Sequence, residues 1–357
     1  MDASPGSRRG TSAEARTAGW GGSVRRGWCT GGGGSPGGGG LIRAAGGASY
    51  SGGTEVRGLE AWAKALYQFS RPHTILGTFA GVVSTSLLAW VPGASRAVVL
   101  AGTGQALAAA LLMNVAIVGV NQVYDVEIDR INKPYLPLAS GAMSMKEAVW
   151  TVVVAATLSL AIGAGSRSLP LLLTLGGSLA LGLAYSMDLP GLRWKRSPAV
   201  AAACIMAVRS FAVHVGFFAH VRLAQGLPFA WTPTLVFAVL FMLFFSIVIA
   251  FSKDIPDVEG DRIIGIRTLS VRIGTQAVFR TCIAIMLTAY AGAVAMGAMS
   301  STFQSRSVGV LAHSAMAALM LARAREVDVK SKDSLYSFYM FLWKLFYAEY
   351  AVLPFMR

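Results

Sequence analysis

Asn121, Asp125 and Asp129 stand four residues apart in the stretch Asn121-Gln-Val-Tyr-Asp125-Val-Glu-Ile-Asp129-Arg-Ile-Asn-Lys133-Pro134. Residues at that spacing stack along one face of a helix. Much later in the chain, Lys253-Asp254-Ile-Pro-Asp257-Val-Glu-Gly-Asp261-Arg262 repeats the pattern, with Asp254, Asp257 and Asp261 three and four apart. Both stretches close long apolar segments. Carboxylates gathered this way repel one another and resist ionisation, so a divalent cation is their natural partner. Oxygen-only donors favour Mg²⁺, which keeps several waters and is commonly completed by substrate phosphates. Mg²⁺-diphosphate held at the mouth of an apolar bundle points to a prenyl diphosphate whose tail occupies the hydrophobic interior.

The elements that must position these residues are membrane helices. Of 357 residues, 54% are hydrophobic and 13% charged, against roughly 25% charged in a soluble domain. Apolar runs long enough to cross a bilayer recur along the chain. The reading is an all-α polytopic membrane protein with nine transmembrane helices, near 73–92, 97–122, 146–165, 168–187, 198–219, 232–252, 277–298, 305–324 and 336–355. Lysine and arginine outnumber aspartate and glutamate 31 to 17, yet they are dispersed in short loops, which speaks for topology and anionic ligands or lipid rather than nucleic acid. With nine spans, Arg130, Lys133, Arg193, Lys195, Lys253 and Arg262 fall on one side with both Asp clusters. Arg96, Arg167, Arg222 and Arg306 fall on the sparsely charged opposite side. Cys29, Cys204 and Cys282 are too few and too scattered for a disulfide framework or a zinc site.

Residues 1–53 differ from the rest. They are rich in Gly, Ser, Ala and Arg, with Asp2 and Glu14 their acids. That bias is the one of an organelle transit peptide, leaving 54–357 as the transmembrane domain. Leu59 to Phe69 reads as a short amphipathic helix at the membrane surface. The two halves echo each other, each with an apolar span, an Asp cluster and a basic residue, which suggests an internal duplication.

Several cations are placed to meet a diphosphate. Lys195 and Arg196, in the loop after Tyr185, are candidate clamps, with a purely topogenic role as the other reading. Lys253 adjoins the second Asp cluster, and Arg71 opens the first span as a substrate-binding cation or an interfacial anchor. Arg209 lies mid-span and should face the bundle interior, where it either binds an acidic group of the acceptor or pairs with a bundle Asp.

Asn121-x-x-x-Asp125-x-x-x-Asp129 and Asp257-x-x-x-Asp261 resemble the two Asp-rich motifs of the UbiA superfamily of intramembrane aromatic prenyltransferases. Asn132-Lys-Pro-Tyr-Leu-Pro-Leu-Ala-Ser-Gly141, Lys253 to Asp261, and Trp343-Lys-Leu-Phe-Tyr-Ala-Glu-Tyr350 are similar to stretches of its plastid homogentisate prenyltransferases. The resemblance covers the chain from about residue 60 onward. It implies a UbiA-type bundle in a plastid membrane with its Asp face toward the stroma. It also implies Mg²⁺ as cofactor, held by Asp125, Asp129, Asp257 and Asp261 with Asn121 and Asp254 as further oxygen groups. Tyr185 matches the family's Tyr-and-Lys loop and would steady the allylic cation. The implied reaction moves a phytyl or geranylgeranyl group from its diphosphate to homogentisate, which loses its carboxyl group. A solanesyl donor, a flavonoid or coumarin acceptor, and an ion-coupled transporter are the alternatives. A transporter would set its carboxylates near mid-bilayer rather than at span ends.

Overall fold

The computed structural model describes residues 58–263, 265 and 267–356. The transit peptide expected over 1–53 lies outside these, and the membrane domain is described from Gly58. Among the described residues the regular structure is helical, with no strand. The chain runs through α1 (Leu59–Phe69), α2 (Pro72–Ala89), α3 (Arg96–Tyr124), α4 (Val126–Asn132), α5 (Met145–Gly165) and α6 (Leu169–Ser186). A span then combines α7 (Pro198–Met206), a π-helical stretch (Ala207–Gly216) and α8 (Phe217–Ala224). It continues through α9 (Pro233–Asp254), α10 (Val258–Ile263), α11 (Leu269–Ile273), α12 (Thr275–Ala298), α13 (Phe303–Arg325) and α14 (Lys332–Val352).

Seven of these segments are long and apolar enough to cross a membrane. The other two expected spans, α2 and α14, are helices of 18 and 21 residues, and their polarity has a structural reason. In α2, Thr74, Ser84, Thr85 and Ser86 are buried, and in α14 so is Glu349. Both helices pack inside the bundle and owe less to lipid. The outward faces are apolar, as Trp150, Val153, Val154 and Leu158 on α5 and Leu311 and Leu319 on α13 illustrate.

Lipid removes most of the hydrophobic drive between helices, so close packing through small residues must hold them. Gly297 of α12 and Gly309 of α13 meet so closely that a Cβ on either would lie 2.7–2.8 Å from the other's backbone. On α2, Gly77 and Gly81 make room for Trp343, Phe346 and Tyr350 of α14. These aromatic rings form a buried row with Phe245 and Tyr290.

Both Asp clusters sit at helix breaks rather than on one unbroken helical face. α3 stops at Tyr124, and Asp125 (φ −114°, ψ 13°) turns the chain into α4. Asp is a weak helix former whose carboxylate competes for local partners; here it accepts a hydrogen bond from Asn121 Nδ2 at 2.9 Å. α9 stops at Asp254 ahead of Pro256, which has no N–H to donate to the helix, although Ile255 between them keeps helical backbone angles (φ −65°, ψ −50°). The amide of Asp129 then donates to the Asp125 carbonyl at 2.8 Å and that of Asp261 to the Asp257 carbonyl at 3.0 Å. The two halves therefore share one local design: long helix, break, and a short helix carrying an Asp one turn in.

Candidate active site

The short helices α4 and α10 turn toward each other and tie the two clusters together. Asn132 Nδ2 donates to Asp261 Oδ1 at 3.3 Å, and Lys133 Nζ forms an ion pair with Asp257 Oδ2. Gly260 permits this approach, since a Cβ there would stand 1.9 Å from Asn132 Oδ1. The result is one polar cavity of about 490 Å³. It is lined by Asp125, Asp129, Asp254, Asp257 and Asp261, and by Asn121, Tyr185, Arg71, Lys195, Arg196 and Lys253. Every candidate residue read from the sequence except Arg209 lies on this cavity.

Cations hold the carboxylates apart. Lys195 Nζ donates to Asp125 Oδ1 at 2.6 Å, and Arg193 stands 3.7 Å from the same oxygen. Lys195 also lies 5.9 Å from the centroid of the Tyr185 ring. Arg196 instead reaches Asp188 at 3.2 Å, and Arg193 pairs with Asp188 as well. Lys253 Nζ is 3.4 Å from Asp254 Oδ1. Burial pulls the Lys195 ammonium below its ordinary pKa, against the pull of Asp125. Asp129 and Asp261 are 5% exposed, and burial pushes each up to about 6, with neighbouring carboxylates adding to the effect at both. Among the described residues no hydrogen-bond donor meets the Asp129 carboxylate, and no three His, Cys, Asp or Glu side chains are gathered closely enough to hold a metal by themselves. Lys195 on Asp125 and Lys133 on Asp257 fill the places between them. The donor set nonetheless suits a hard cation: five carboxylates face one cavity and three are buried, with a cost in ionisation at Asp129 and Asp261 that a divalent ion would offset.

A second cavity, of about 230 Å³, runs from this site into the bundle. Arg71, Asn121, Tyr185 and Lys253 line both. Its walls include Ile117, Val118, Leu181, Val208, Val213 and Phe346. Asn114 threads polar groups through it, donating to Thr74 Oγ1 at 2.9 Å and accepting from Thr78 at 3.3 Å. Arg209 lies here, on the π-helical stretch, with its guanidinium 4.6 Å from the centroid of the Trp343 ring. Among the described residues it has no carboxylate partner, which removes the bundle Asp as the reason for its burial.

Residues 75–345 match the UbiA prenyltransferase family. The chain belongs to the UbiA prenyltransferase family. It is 50% identical over 299 residues to a homogentisate geranylgeranyltransferase of Triticum aestivum, covering 82% of this chain and 72% of that protein. It is 48% identical over 296 residues to the chloroplastic homogentisate phytyltransferase 1 of Arabidopsis thaliana, covering 82% and 75%. A UbiA homolog from Archaeoglobus fulgidus, bound to DMAPP and Mg²⁺, shares the fold with a TM-score of 0.57 at 18% identity, covering 81% of this chain and 98% of that one.

Sequence reasoning underweighted some residues of this UbiA site. Arg193 was read with the topogenic loop cations, yet it lies beside Asp125 in a left-handed backbone conformation (φ 59°). Arg71, also left-handed at φ 51°, lines both cavities. Such strain in a non-glycine residue persists where surrounding structure enforces it, commonly at functional sites. Asn132, Lys133, Arg267 and Arg272 complete the polar cavity. The Asn-Lys-Pro signal for the first two was present, but nothing local showed that they cross to the second cluster.

Proposed function

We propose that the chain transfers a C20 prenyl group, phytyl or geranylgeranyl, from its diphosphate to homogentisate, with loss of the acceptor's carboxyl group. The observation that carries this reading is the continuity of the carboxylate cavity with the intramembrane cavity through Arg71, Asn121, Tyr185 and Lys253. A molecule with a charged head and an apolar tail is the ligand that such a pair of cavities accommodates. The names of relatives at 48–50% identity supply the acceptor.

Asp125, Asp129, Asp257 and Asp261 would hold Mg²⁺, with Asp254 and Asn121 beside them. Bound Mg²⁺ would neutralise charge on the departing diphosphate and so ease ionisation of the allylic C–O bond. Lys195, Lys133, Arg193, Arg196, Lys253 and Arg71 surround the same space and would receive the diphosphate oxygens as electrostatic clamps. Lys195 and Lys133, now paired with Asp125 and Asp257, would exchange a carboxylate for a phosphate partner as metal arrives. The Tyr185 ring faces the junction of the cavities and would stabilise positive charge there by its π-system. The apolar walls would exclude the water that would otherwise quench the cation. The site would open toward the stroma of a plastid membrane, as the basic loops on that face favour.

The experiment uses membranes carrying the full chain, labelled homogentisate, Mg²⁺ and, separately, phytyl, geranylgeranyl and solanesyl diphosphates. The expected outcome is product with a C20 donor, lost on chelation and in Asp125→Ala and Asp257→Ala. Product with solanesyl diphosphate alone would replace the C20 donor. Reaction with other phenols but not homogentisate would overturn the acceptor, and activity surviving both substitutions would overturn the site.

A further inference from the structure

Two stretches that mark the chain's likeness to homogentisate prenyltransferases take no part in the metal and diphosphate chemistry. They are the run after Lys133 and the body of α14. Both meet at a third cavity, of about 490 Å³, which shares Arg71, Lys253, Lys133 and Asp257 with the carboxylate cavity. Its remaining wall includes four rings, Tyr135, Tyr336, Tyr339 and His73, beside Leu136, three prolines and the polar Gln68, Lys332 and Asp333. Tyr135 and Tyr336 line this cavity and are 54% and 39% exposed, so they form a mouth on the aqueous face. Lys332 Nζ, 3.4 Å from the Asn132 carbonyl, ties the start of α14 to that mouth.

His73 stands at the inner end. Its ring meets Trp343 edge-on at 5.1 Å and Tyr339 at 6.4 Å, while its backbone carbonyl accepts from the Tyr347 hydroxyl at 2.7 Å. Among the described residues neither ring nitrogen has a hydrogen-bond partner. Trp343, 1% exposed, is in contact with a residue of each cavity, His73 of this one and Arg209 of the tail cavity. The His73 ring meets it edge-on, and the Arg209 guanidinium lies 4.6 Å from its centroid.

We propose that this third cavity is the subsite of the aromatic acceptor, a hydroxylated ring bearing a carboxylate, with the His73 imidazole hydrogen bonded to a ring hydroxyl. The assignment rests on the prenyl transfer proposed above. The donor's tail has an apolar cavity of its own, whereas this one offers Arg71, Lys133, Lys253 and Lys332 against Asp257 and Asp333. That excess of cations draws an acid. Phenol and imidazole rings take an aromatic ring edge-on or stacked. A small aromatic acid comes from water, and the mouth opens there, while the donor comes from the membrane. The two substrates then face each other across Arg71 and Lys253, where ring carbon and allylic carbon must meet.

The test varies homogentisate at saturating geranylgeranyl diphosphate, and then the reverse, with the full chain in membranes. The variants are His73→Leu, His73→Asn and Tyr336→Ala. Loss of a hydrogen bond or a ring wall should raise KM for homogentisate about tenfold in His73→Leu and Tyr336→Ala. KM for the donor should stay within about twofold, as expected when an interaction with one substrate alone is removed. His73→Asn, which keeps a polar group, should recover most of the acceptor affinity. If His73→Leu fails to accumulate, Tyr336→Ala and Tyr135→Ala at the exposed mouth give the same readout. A rise in donor KM, or no change in either KM, overturns the subsite while leaving prenyl transfer intact. If the parent chain prenylates a different phenolic acid, acceptor KM is read with that compound. If it prenylates none with any donor, prenyl transfer itself fails and the subsite with it.

Discussion

Asp129 and Asp261 are the residues at which burial and function pull hardest against each other. Each has an ordinary pKa of 3.8 that burial raises to about 6. In that window the metal-free folded chain holds protons that the unfolded chain has released, so these groups make its stability fall as pH rises. Metal binding needs them deprotonated. The Mg²⁺ concentration for half-maximal activity should therefore be flat above pH 7 and rise more than about tenfold by about pH 5.5, as two such carboxylates titrate. A titration that stays flat would place the two outside the metal site. Lys133 and Lys195 pull the other way, since they occupy the oxygens that a metal would take. Lys133→Ala should lower kcat by about 10²-fold through loss of a phosphate clamp, while lowering the Mg²⁺ requirement because Asp257 is freed. A variant that loses activity and needs more Mg²⁺ would show instead that Lys133 orders the site. At this scale the sequence was informative: eleven of the twelve candidate side chains line one cavity. The partners Arg193 and Lys133 were less visible, because a loop cation looks alike whether it sets topology or meets a carboxylate.

The elements place those side chains by breaking where an unbroken amphipathic face was expected. Spacing of three and four residues correctly grouped Asp125 with Asp129 and Asp257 with Asp261, but could not show that α3 and α9 end there. Pro256, with no N–H to donate, was a readable cause for the second break. The first depends on Asn121 and Lys195 capturing Asp125, and Lys195 lies far along the chain. The contact between α4 and α10 was not legible at all, because Gly260 has meaning only once Asn132 is known to lie against it. Gly260→Ala tests this contact directly. A methyl 1.9 Å from Asn132 Oδ1 must push the short helices apart, at about 1–3 kcal/mol by analogy with overpacked cores. Activity should drop at least about tenfold while the protein still accumulates in membranes with little change in melting temperature, since the clash is confined to two short helices. An active Gly260→Ala chain would mean that the clusters need not touch. The π-helical stretch around Arg209 was likewise unforeseen. Period-based reading assumes regular helix, and π-turns depend on packing as much as on residue type.

At the scale of the whole molecule, the span count and the charge asymmetry support each other in a way that one experiment can examine. The helices α2, α3, α5, α6, α7–α8, α9, α12, α13 and α14 alternate in direction if each crosses once. The ends of α3, α6, α9 and α13 and the starts of α2, α5, α7, α12 and α14 then share the Asp face. Seven of these segments qualify as spans by apolarity alone; α2 and α14 carry the polar groups that line cavities and the buried interior, so their crossing depends on packing within the bundle. Were α2 to lie on the surface instead, Lys64 and Arg71 would fall on the side opposite the other basic loops, against the usual bias. Cys204 and Cys282 are buried, so a Cys29→Ser chain offers a low-labelling background for single cysteines. Arg130→Cys and Lys330→Cys should react with a membrane-impermeant maleimide from one side of sealed vesicles. Arg167→Cys and Met299→Cys, both at exposed positions, should react from the other side alone. Lys330 is the decisive position because it follows α13 and precedes α14, so it shares the side of Arg130 when α5 through α13 cross an even number of times. Labelling of Lys330→Cys together with Met299→Cys would break the nine-span arrangement and separate α14 from the Asp clusters. Labelling with Arg130→Cys would put the acceptor mouth at Tyr135 and Tyr336 on the same aqueous face as the metal site, which both proposed substrate sites require.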